Sequence, residues 1–528
     1  MALLRGSNTR GLAWNPARWR PAWGWARLVG AGTDRLTAAH LLVLGLIVLA
    51  PVGVLSAARG FDGLYGQDAF AYFDYAVGPL RGAVLAGQFV PPPAFFWPPG
   101  YPVLVALVAL ATGPQAVAGQ LVSLLMGACV PVATAQIARE LWPNSGRRAL
   151  LAGGLCGACG QLWQSSAVVM SDTTGLALAT LGVWAVLRYE RRPGATWLIL
   201  AAALLGWATI TRWIYGLVAL VAAAYAVWVL TRVAPRRVVT HGAPAALVGA
   251  LVLAWVLVPA MTQTPSGPFL GTLETYGSET WSLANLVQRE FLTTGHGYVR
   301  YSLPNGVYYA AAPLHPYMLT PLLGLLAMPG LLVLVRQHAW RPGALLIGWA
   351  VAMYLFHAGS TWQNLRYVLA YLPPLAILAG VGADALLDYA RRPVGVWLLG
   401  GLCWAAAGGL ILTNQFVDRK QADLAMVRWV DAQLPPQAEL VTFGPTLTFR
   451  HYSHRSTLEL FELSPGDLPA LVADGRAQYL LLDVANVEQQ WVGRAPAEDY
   501  QWLRDGPGLM PLGTAPGERL TLFRVGRT

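Results

Sequence analysis

The chain has 528 residues, 55% of them hydrophobic and 12% charged, with a mean hydropathy of +0.47. That balance excludes an ordinary soluble enzyme and indicates a polytopic α-helical membrane protein. The net charge of +10 is carried by arginine, Lys420 being the single lysine. On such a chain it is first an orientation signal, and nucleic-acid binding is not read from it.

Residues 1–36 join six arginines to Trp14, Trp19, Trp23 and Trp25, a basic, aromatic segment suited to an anionic inner leaflet. The run Thr37–Ala57, about 21 residues, is long enough to span. A signal peptide would have a shorter apolar core and a small-residue cleavage site, so this run is an anchor. Next comes Phe61–Tyr101, read as a short amphipathic helix from Gln67. Asp68 shares a face with Tyr72 and Tyr75 at i, i+4 and i+7, while Asp74 points elsewhere. Pro91-Pro92-Pro93 and Pro98-Pro99 break the segment beside Phe95, Phe96 and Trp97, which suit a membrane interface. Tyr101–Thr112 is too short to cross and is read as a half-inserted outer-face helix.

Further spans are expected near 117–138, 149–167, 172–188, 195–210, 212–230, 243–262, 313–335, 343–357, 367–386 and 394–414. The run Thr196–Leu230 is too long for one crossing and is split at Thr211-Arg212. The clusters Arg139/Arg147/Arg148, Arg188/Arg191/Arg192, Arg232/Arg236/Arg237, Arg336/Arg341 and Arg391/Arg392 fall in alternate loops. They place those loops and the N-terminus in the cytoplasm of a cell membrane. Parity then gives about 11 transmembrane helices and an external C-terminus. The membrane domain is 37–415, with external loops 58–116 and 263–312. Cys156 and Cys159 have CxxC spacing but lie in an apolar run without a nearby acid or histidine, so they read as small contact residues.

With this topology Asp34, Glu140, Glu190, Asp384 and Asp388 lie inside, each near an arginine. Asp62, Asp68, Asp74, Asp172, Glu274, Glu279 and Glu290 lie outside. No acid is expected at mid-bilayer, where an ion-coupled transporter usually needs an ionisable group or a broken helix. Chemistry at the outer surface is favoured. The alternative is a non-catalytic transporter or flippase of lipid-linked glycans or phospholipids.

An acid in the first external loop, WPPGYP (Trp97–Pro102), MSDTTGLALA (Met170–Ala179), ITRW (Ile210–Trp213) and QNLRYVLAYLPPLAIL (Gln363–Leu378) occur in that order. As an ordered set over about residues 37–386 they resemble the GT-C glycosyltransferases, in particular the protein O-mannosyltransferase and lipid A aminoarabinose transferase-like superfamily. The resemblance implies transfer of a sugar from a polyprenyl-phosphate carrier, on the non-cytoplasmic face and with inversion. The acceptor is then a hydroxyl of a protein, a glycolipid or a cell-envelope glycan. Several members place a lysine just before the paired prolines. Here that position is Trp97, which shifts the phosphate contact onto arginines.

Displacing a lipid phosphate from an anomeric carbon needs a base for the acceptor hydroxyl and cations for the departing anion. Phosphate leaves readily, so a second carboxylic acid is unnecessary. Asp68 is the candidate base, against a solvated loop acid or an N-cap; Asp74 reads more readily as solvated. Arg366 beside Tyr367 is the candidate phosphate clamp, since a guanidinium offers two parallel hydrogen bonds; the plain alternative is a snorkelling interface anchor. Arg212 is either a second clamp or the partner of Asp172. Asp172 either caps the helix it opens or orients an arginine and the sugar. Tyr72, Trp97 and Gln363 complete the candidate substrate contacts.

The aromatic loop 263–312, Trp281 included, suits stacking on a sugar or packing over the bundle. No cofactor is required. A divalent metal on His296, His315 or His357 with Asp68 or Asp172 is possible but not expected, for want of ligand spacing. Residues 416–528 have a soluble composition. ADLAMVRWVDAQL and PGDLPALVADG read as helices, and AELVTFG, AQYLLLDV and TLFRV as strands, of an external α/β domain.

Overall fold

The structure is a computed structural model that describes residues 36–88, 90–92, 97–233, 236–263, 281–293, 297–463, 466–517 and 519–526. The basic N-terminal segment, Phe95, Phe96, Glu274, Glu279 and His296 lie outside these.

Helix α1 (Ala38–Arg59) starts where Thr37 accepts a bond from the backbone N–H of His40 at 3.3 Å, and stops at Gly60, whose φ of 58° breaks the helical course. At about 1.5 Å per residue it matches a hydrocarbon core of about 30 Å. Helix α2 (Gln67–Tyr75) is the expected short helix, entered through Gly66 at φ 79°. Helix α3 (Gly100–Thr112) has 13 residues, about 20 Å. It is followed by α4 (Ala116–Leu141), α5 (Asp172–Arg191) and α6 (Ala195–Thr211). Among the described residues, six helices are long and apolar enough to cross a membrane, or seven if the bent pair Gly160–Ala167 and Asp172–Arg191 counts as one span.

Three expected spans differ. The stretch 149–167 divides into Gly146–Gly157 and Gly160–Ala167, because Ala158-Cys159 interrupts the helix where Gly160 closes onto the backbone of Gly409. The stretch 313–335 is broken into Thr320–Gly324 and Ala327–Arg336, after Pro313 and Pro316, with Thr320 at φ 59°. The last span does not end near Asn414 but runs on as α7 (Arg391–Gln433), 43 residues, about 65 Å. The amphipathic helix expected separately at 422–434 is its continuation: Val417, Lys420, Met426, Val427 and Val430 are buried on it.

A hairpin pairs β1 (Glu290–Thr293) with β2 (Gly297–Arg300) in the loop before the 313–335 stretch. The C-terminal part forms a five-stranded sheet in the order β4-β3-β5-β7-β6, from β3 (Leu440–Thr442), β4 (Thr457–Glu459), β5 (Tyr479–Leu482), β6 (Leu509–Thr514) and β7 (Thr521–Val525). Strands β4, β3 and β5 are parallel, while β7 and β6 are antiparallel additions. Side chains alternate as the pleat requires. Leu440, Leu481 and Leu522 pack with Met426, Val427 and Val430 of α7 and with Phe449 of α8 (Thr446–Tyr452), whereas Val441, Leu480, Leu482 and Phe523 pack on the other face.

Ion pairs of the helical region fall into two sets. Arg147 and Arg148 hold Asp384, Arg188 holds Glu140 at 2.8 Å, and Arg341 meets Glu190 at 3.5 Å. Arg59 holds Asp418 at 2.6 Å, Arg212 holds Asp172 at 2.5 Å, Arg366 meets Asp68 at 3.2 Å and Lys420 meets Asp62 at 3.4 Å. Among the described residues no ion pair joins one set to the other.

Candidate active site

The motifs that are scattered along the sequence meet around one cavity. In WPPGYP, the paired prolines end the preceding loop and Gly100 opens α3. A Cβ on Gly100 would lie 2.7 Å from the Ile210 carbonyl oxygen and from Thr211 Oγ1, so only glycine lets α3 lie on the end of α6. Trp207 Nε1 donates to the Gly100 carbonyl at 3.1 Å and fixes that contact. Tyr101 bonds Ser123 Oγ at 2.9 Å, and Ser123 in turn donates to the Met170 carbonyl at 3.2 Å. The proline segment thus meets the ITRW end of α6 at Gly100 and is tied to the MSDT segment through buried hydroxyls.

Asp172 is buried and pairs through Oδ1 with Arg212 at 2.5 Å, while Oδ2 has no hydrogen-bond partner among the described residues. Ser171, not Asp172, is the N-cap, and it makes no side-chain cap bond. Its hydroxyl donates instead to Tyr72 at 3.0 Å. Capping therefore does not explain Asp172. A buried carboxylate left without a partner would be strongly destabilising, and Arg212 supplies the partner.

On the facing wall, Asp68 lies in the first turn of α2, with Gly66 as N-cap, so it does not cap the helix. Its Oδ2 accepts from Arg366 Nη2 at 3.2 Å. Arg366 turns inward rather than snorkelling: Nη1 lies 3.3 Å from Met170 Sδ, and Nε is buried without a hydrogen-bond partner among the described residues. Tyr367 sits between the two cations, its ring 5.2 Å from the Arg366 guanidinium and 5.8 Å from that of Arg212. Tyr72 stacks on Trp97, ring centroids 5.1 Å apart. Burial holds the Tyr72 phenol well above its ordinary range, so it stays protonated and donates or accepts as a neutral group.

Asp68, Trp97, Arg212, Arg366 and Tyr367 line a cavity of about 1420 Å³ whose far wall is α7 and the C-terminal sheet region, with Asp423, Thr446 and Arg519. A recess of about 320 Å³ at its inner end adds Tyr72, Trp281 and His357. Small-molecule sites usually measure about 300–1,000 Å³, so the recess has the size of one small ligand and the whole cavity has room for two.

One expected contact lies elsewhere. Gln363 is not on the cavity wall: its Nε2 donates to the Leu303 carbonyl at 2.6 Å and to Asn305 Oδ1 at 2.9 Å, which pins the preceding loop. Asp74 faces His451 at 3.8 Å and is half exposed, as its helical phase requires. Among the described residues no three His, Cys, Asp or Glu side chains are grouped to hold a metal; His315 is exposed beside Tyr317. Several cavity residues carry no motif, among them Gln67, Arg419 and Asp423. Lys420, the single lysine, was a visible oddity in the sequence. It is buried and bonds the Leu64 carbonyl at 2.5 Å and the Tyr452 hydroxyl, which secures the loop that leads into α2.

Residues 97–263 match the family described as dolichyl-phosphate-mannose-protein mannosyltransferase. The structure superposes on ArnT from Cupriavidus metallidurans bound to undecaprenyl phosphate, with a TM-score of 0.61, 16% identity, and coverage of 92% of this chain and 98% of that one. The fold is that of the GT-C glycosyltransferases. The oligosaccharyltransferase of Archaeoglobus fulgidus shares it as well: its apo form gives a TM-score of 0.57 at 13% identity, over 85% of this chain and 70% of that one. Its complex with an inhibitory peptide and a dolichol-phosphate gives 0.56 at 12% identity, over 93% and 74%. No curated protein matches the chain by sequence. On this GT-C frame the matched stretch 97–263 carries Trp97, Asp172 and Arg212, while Asp68 and Arg366 flank it on either side.

Proposed function

We propose that the protein is an integral-membrane, inverting glycosyltransferase that moves a sugar from a polyprenyl-phosphate donor to an acceptor hydroxyl at the non-cytoplasmic face. The observation that carries this reading is the meeting of Asp68, Arg366, Arg212 and Tyr367 in one cavity. The matched family and the lipid phosphates held by two fold neighbours support the donor class.

The chemistry follows from the donor inventory. A guanidinium carries five N–H donors; in Arg366 Nη2 is engaged by Asp68 and reaches the Tyr367 hydroxyl, Nη1 faces Met170 Sδ, and Nε has no partner among the described residues. Donor phosphate adds to this fork and to Arg212, with Tyr367 between them. The acceptor hydroxyl oxygen attacks the anomeric carbon as its proton passes to the Asp68 carboxylate. The bond from that carbon to phosphate oxygen breaks, and the phosphate leaves with the electron pair, its charge stabilised by the arginines. Attack opposite the leaving group inverts the centre. The recess by Tyr72 and Trp97 takes the sugar, and the wider cavity toward the C-terminal unit takes the acceptor.

The eleven-crossing reading, with the C-terminal unit external, is part of the proposal. The separation of ion pairs into two sets supports it, as does the length of α7, about twice the hydrocarbon core.

The protein in nanodiscs, given undecaprenyl-phosphate sugars of hexose, pentose and aminopentose type, is expected to release undecaprenyl phosphate from one of them. Asp68→Asn should lose at least about 100-fold in turnover while still binding undecaprenyl phosphate. Full turnover by Asp68→Asn would remove Asp68 as base, and translocation of intact donor without cleavage would favour a flippase.

A further inference from the structure

We propose that the C-terminal α/β unit sets the position of the catalytic carboxylate, and that Gln67 is the positioning residue through which it acts. The inference rests on Asp68 being the base.

Gln67 is the first residue of α2 and precedes Asp68. Both ends of its carboxamide are held by α8 of the C-terminal unit. Oε1 accepts from the Leu447 backbone N–H at 2.8 Å, and Nε2 donates to Thr448 Oγ1 at 3.3 Å. Adjacent Cα atoms are about 3.8 Å apart, so this clasp fixes the backbone that carries Asp68. Helix α2 has nine residues and no side-chain cap bond. So short a helix is marginal by itself and takes its place from its surroundings.

The rest of α8 grips the same helix. The His451 ring lies 5.5 Å from that of Phe70 and 5.7 Å from that of Phe73, and Tyr452 packs edge-on against Phe70 at 5.8 Å. Lys420 and Tyr452 hold the incoming loop through Leu64 and Asp62. Helix α2 is therefore clamped between α8 on one side and the arginines on the other, with Asp68 3.2 Å from Arg366. Thr446, Leu447 and Thr448 also line the large cavity, so the wall that an acceptor would touch is the wall that holds Gln67. A misplacement of about 1 Å at a reacting group costs about 100-fold in rate.

The test uses full-length protein in nanodiscs and whichever undecaprenyl-phosphate sugar the wild type turns over. Gln67→Met keeps the side-chain length and removes both bonds. Its kcat should fall about 10- to 100-fold, with donor KM, undecaprenyl phosphate affinity and melting temperature unchanged. Thr448→Val should lose less, and the double variant no more than Gln67→Met, because both remove one contact. Full turnover by Gln67→Met overturns the proposal. So does a loss in which KM rises or the melting temperature drops in step, which would make Gln67 an ordinary structural tie. Asp68→Asn is run beside it. An active Asp68→Asn strikes the base assignment itself, whereas an inactive one next to an unaffected Gln67→Met strikes only the positioning.

Discussion

Asp172 and Arg212 form a buried pair whose two members depend on each other unequally. Removing the carboxylate leaves the largely buried Arg212 cation on the cavity wall without its partner, at a cost of up to about 3–5 kcal/mol. Asp172→Ala should lower the melting temperature of the solubilised protein and abolish turnover. Adding Arg212→Ala should restore much of the stability and none of the activity, since the cation goes with the charge imbalance. Equal instability in the single and double variants would contradict this. At this scale the sequence was informative where chemistry limits the choice: displacing a phosphate calls for a carboxylate toward the incoming hydroxyl and arginines toward the departing anion, and Asp68, Arg212 and Arg366 line one cavity. It was silent about Gln67, whose partners lie 380 and 381 positions away. It misplaced Gln363, because nothing in QNLRY tells a side chain that meets a ligand from one that ties down a loop.

At the scale of elements, apolar run length gave most helices, while their interruptions depended on contacts that no local pattern encodes. The Gly160–Gly409 approach and the left-handed Thr320 are examples. The junction of α7 with the C-terminal unit was missed because the change in composition at Phe416 was read as an end, whereas a helix changes the character of its face without stopping. Gly100 is the sharpest element-level requirement. Gly100→Ala would put a methyl group 2.7 Å from the Ile210 carbonyl oxygen and Thr211 Oγ1, pushing α3 off α6 just before Arg212. The expected cost is about 1–3 kcal/mol of stability, together with weaker binding of undecaprenyl phosphate. Unchanged lipid affinity would show that the α3–α6 contact does not set the arginine.

For the whole molecule, two predictions separate orientation from stability. A cysteine at Ala473, an exposed position, placed in a chain with Cys403→Ser, should react with an impermeant thiol reagent in intact cells. Labelling only after lysis would invert the topology. Within the C-terminal unit, Asp499 is buried, its Oδ2 has no hydrogen-bond partner among the described residues, and burial, then Glu498 and Asp467, push its carboxyl up to about 6. The folded state thus resists ionisation that the unfolded chain accepts near 3.8. The resulting penalty is absent below about pH 4, grows through the folded value and is complete above it. Asp499→Asn should therefore raise the melting temperature at pH 7.5, with the gain vanishing below about pH 4. A gain of the same size at both values would mean that the charge is irrelevant.

Helix α7 runs unbroken for 43 residues and carries Lys420 on the same rod as the buried glycines Gly401, Gly408 and Gly409. A stiff shaft cannot absorb a change in bilayer thickness by bending at a joint. Shorter or longer acyl chains must instead tilt it or shift it lengthwise, and Lys420 moves with it. Because Lys420 grips the stretch of chain that feeds into the Asp68 helix, the turnover expected under the proposed function should peak in bilayers of one thickness.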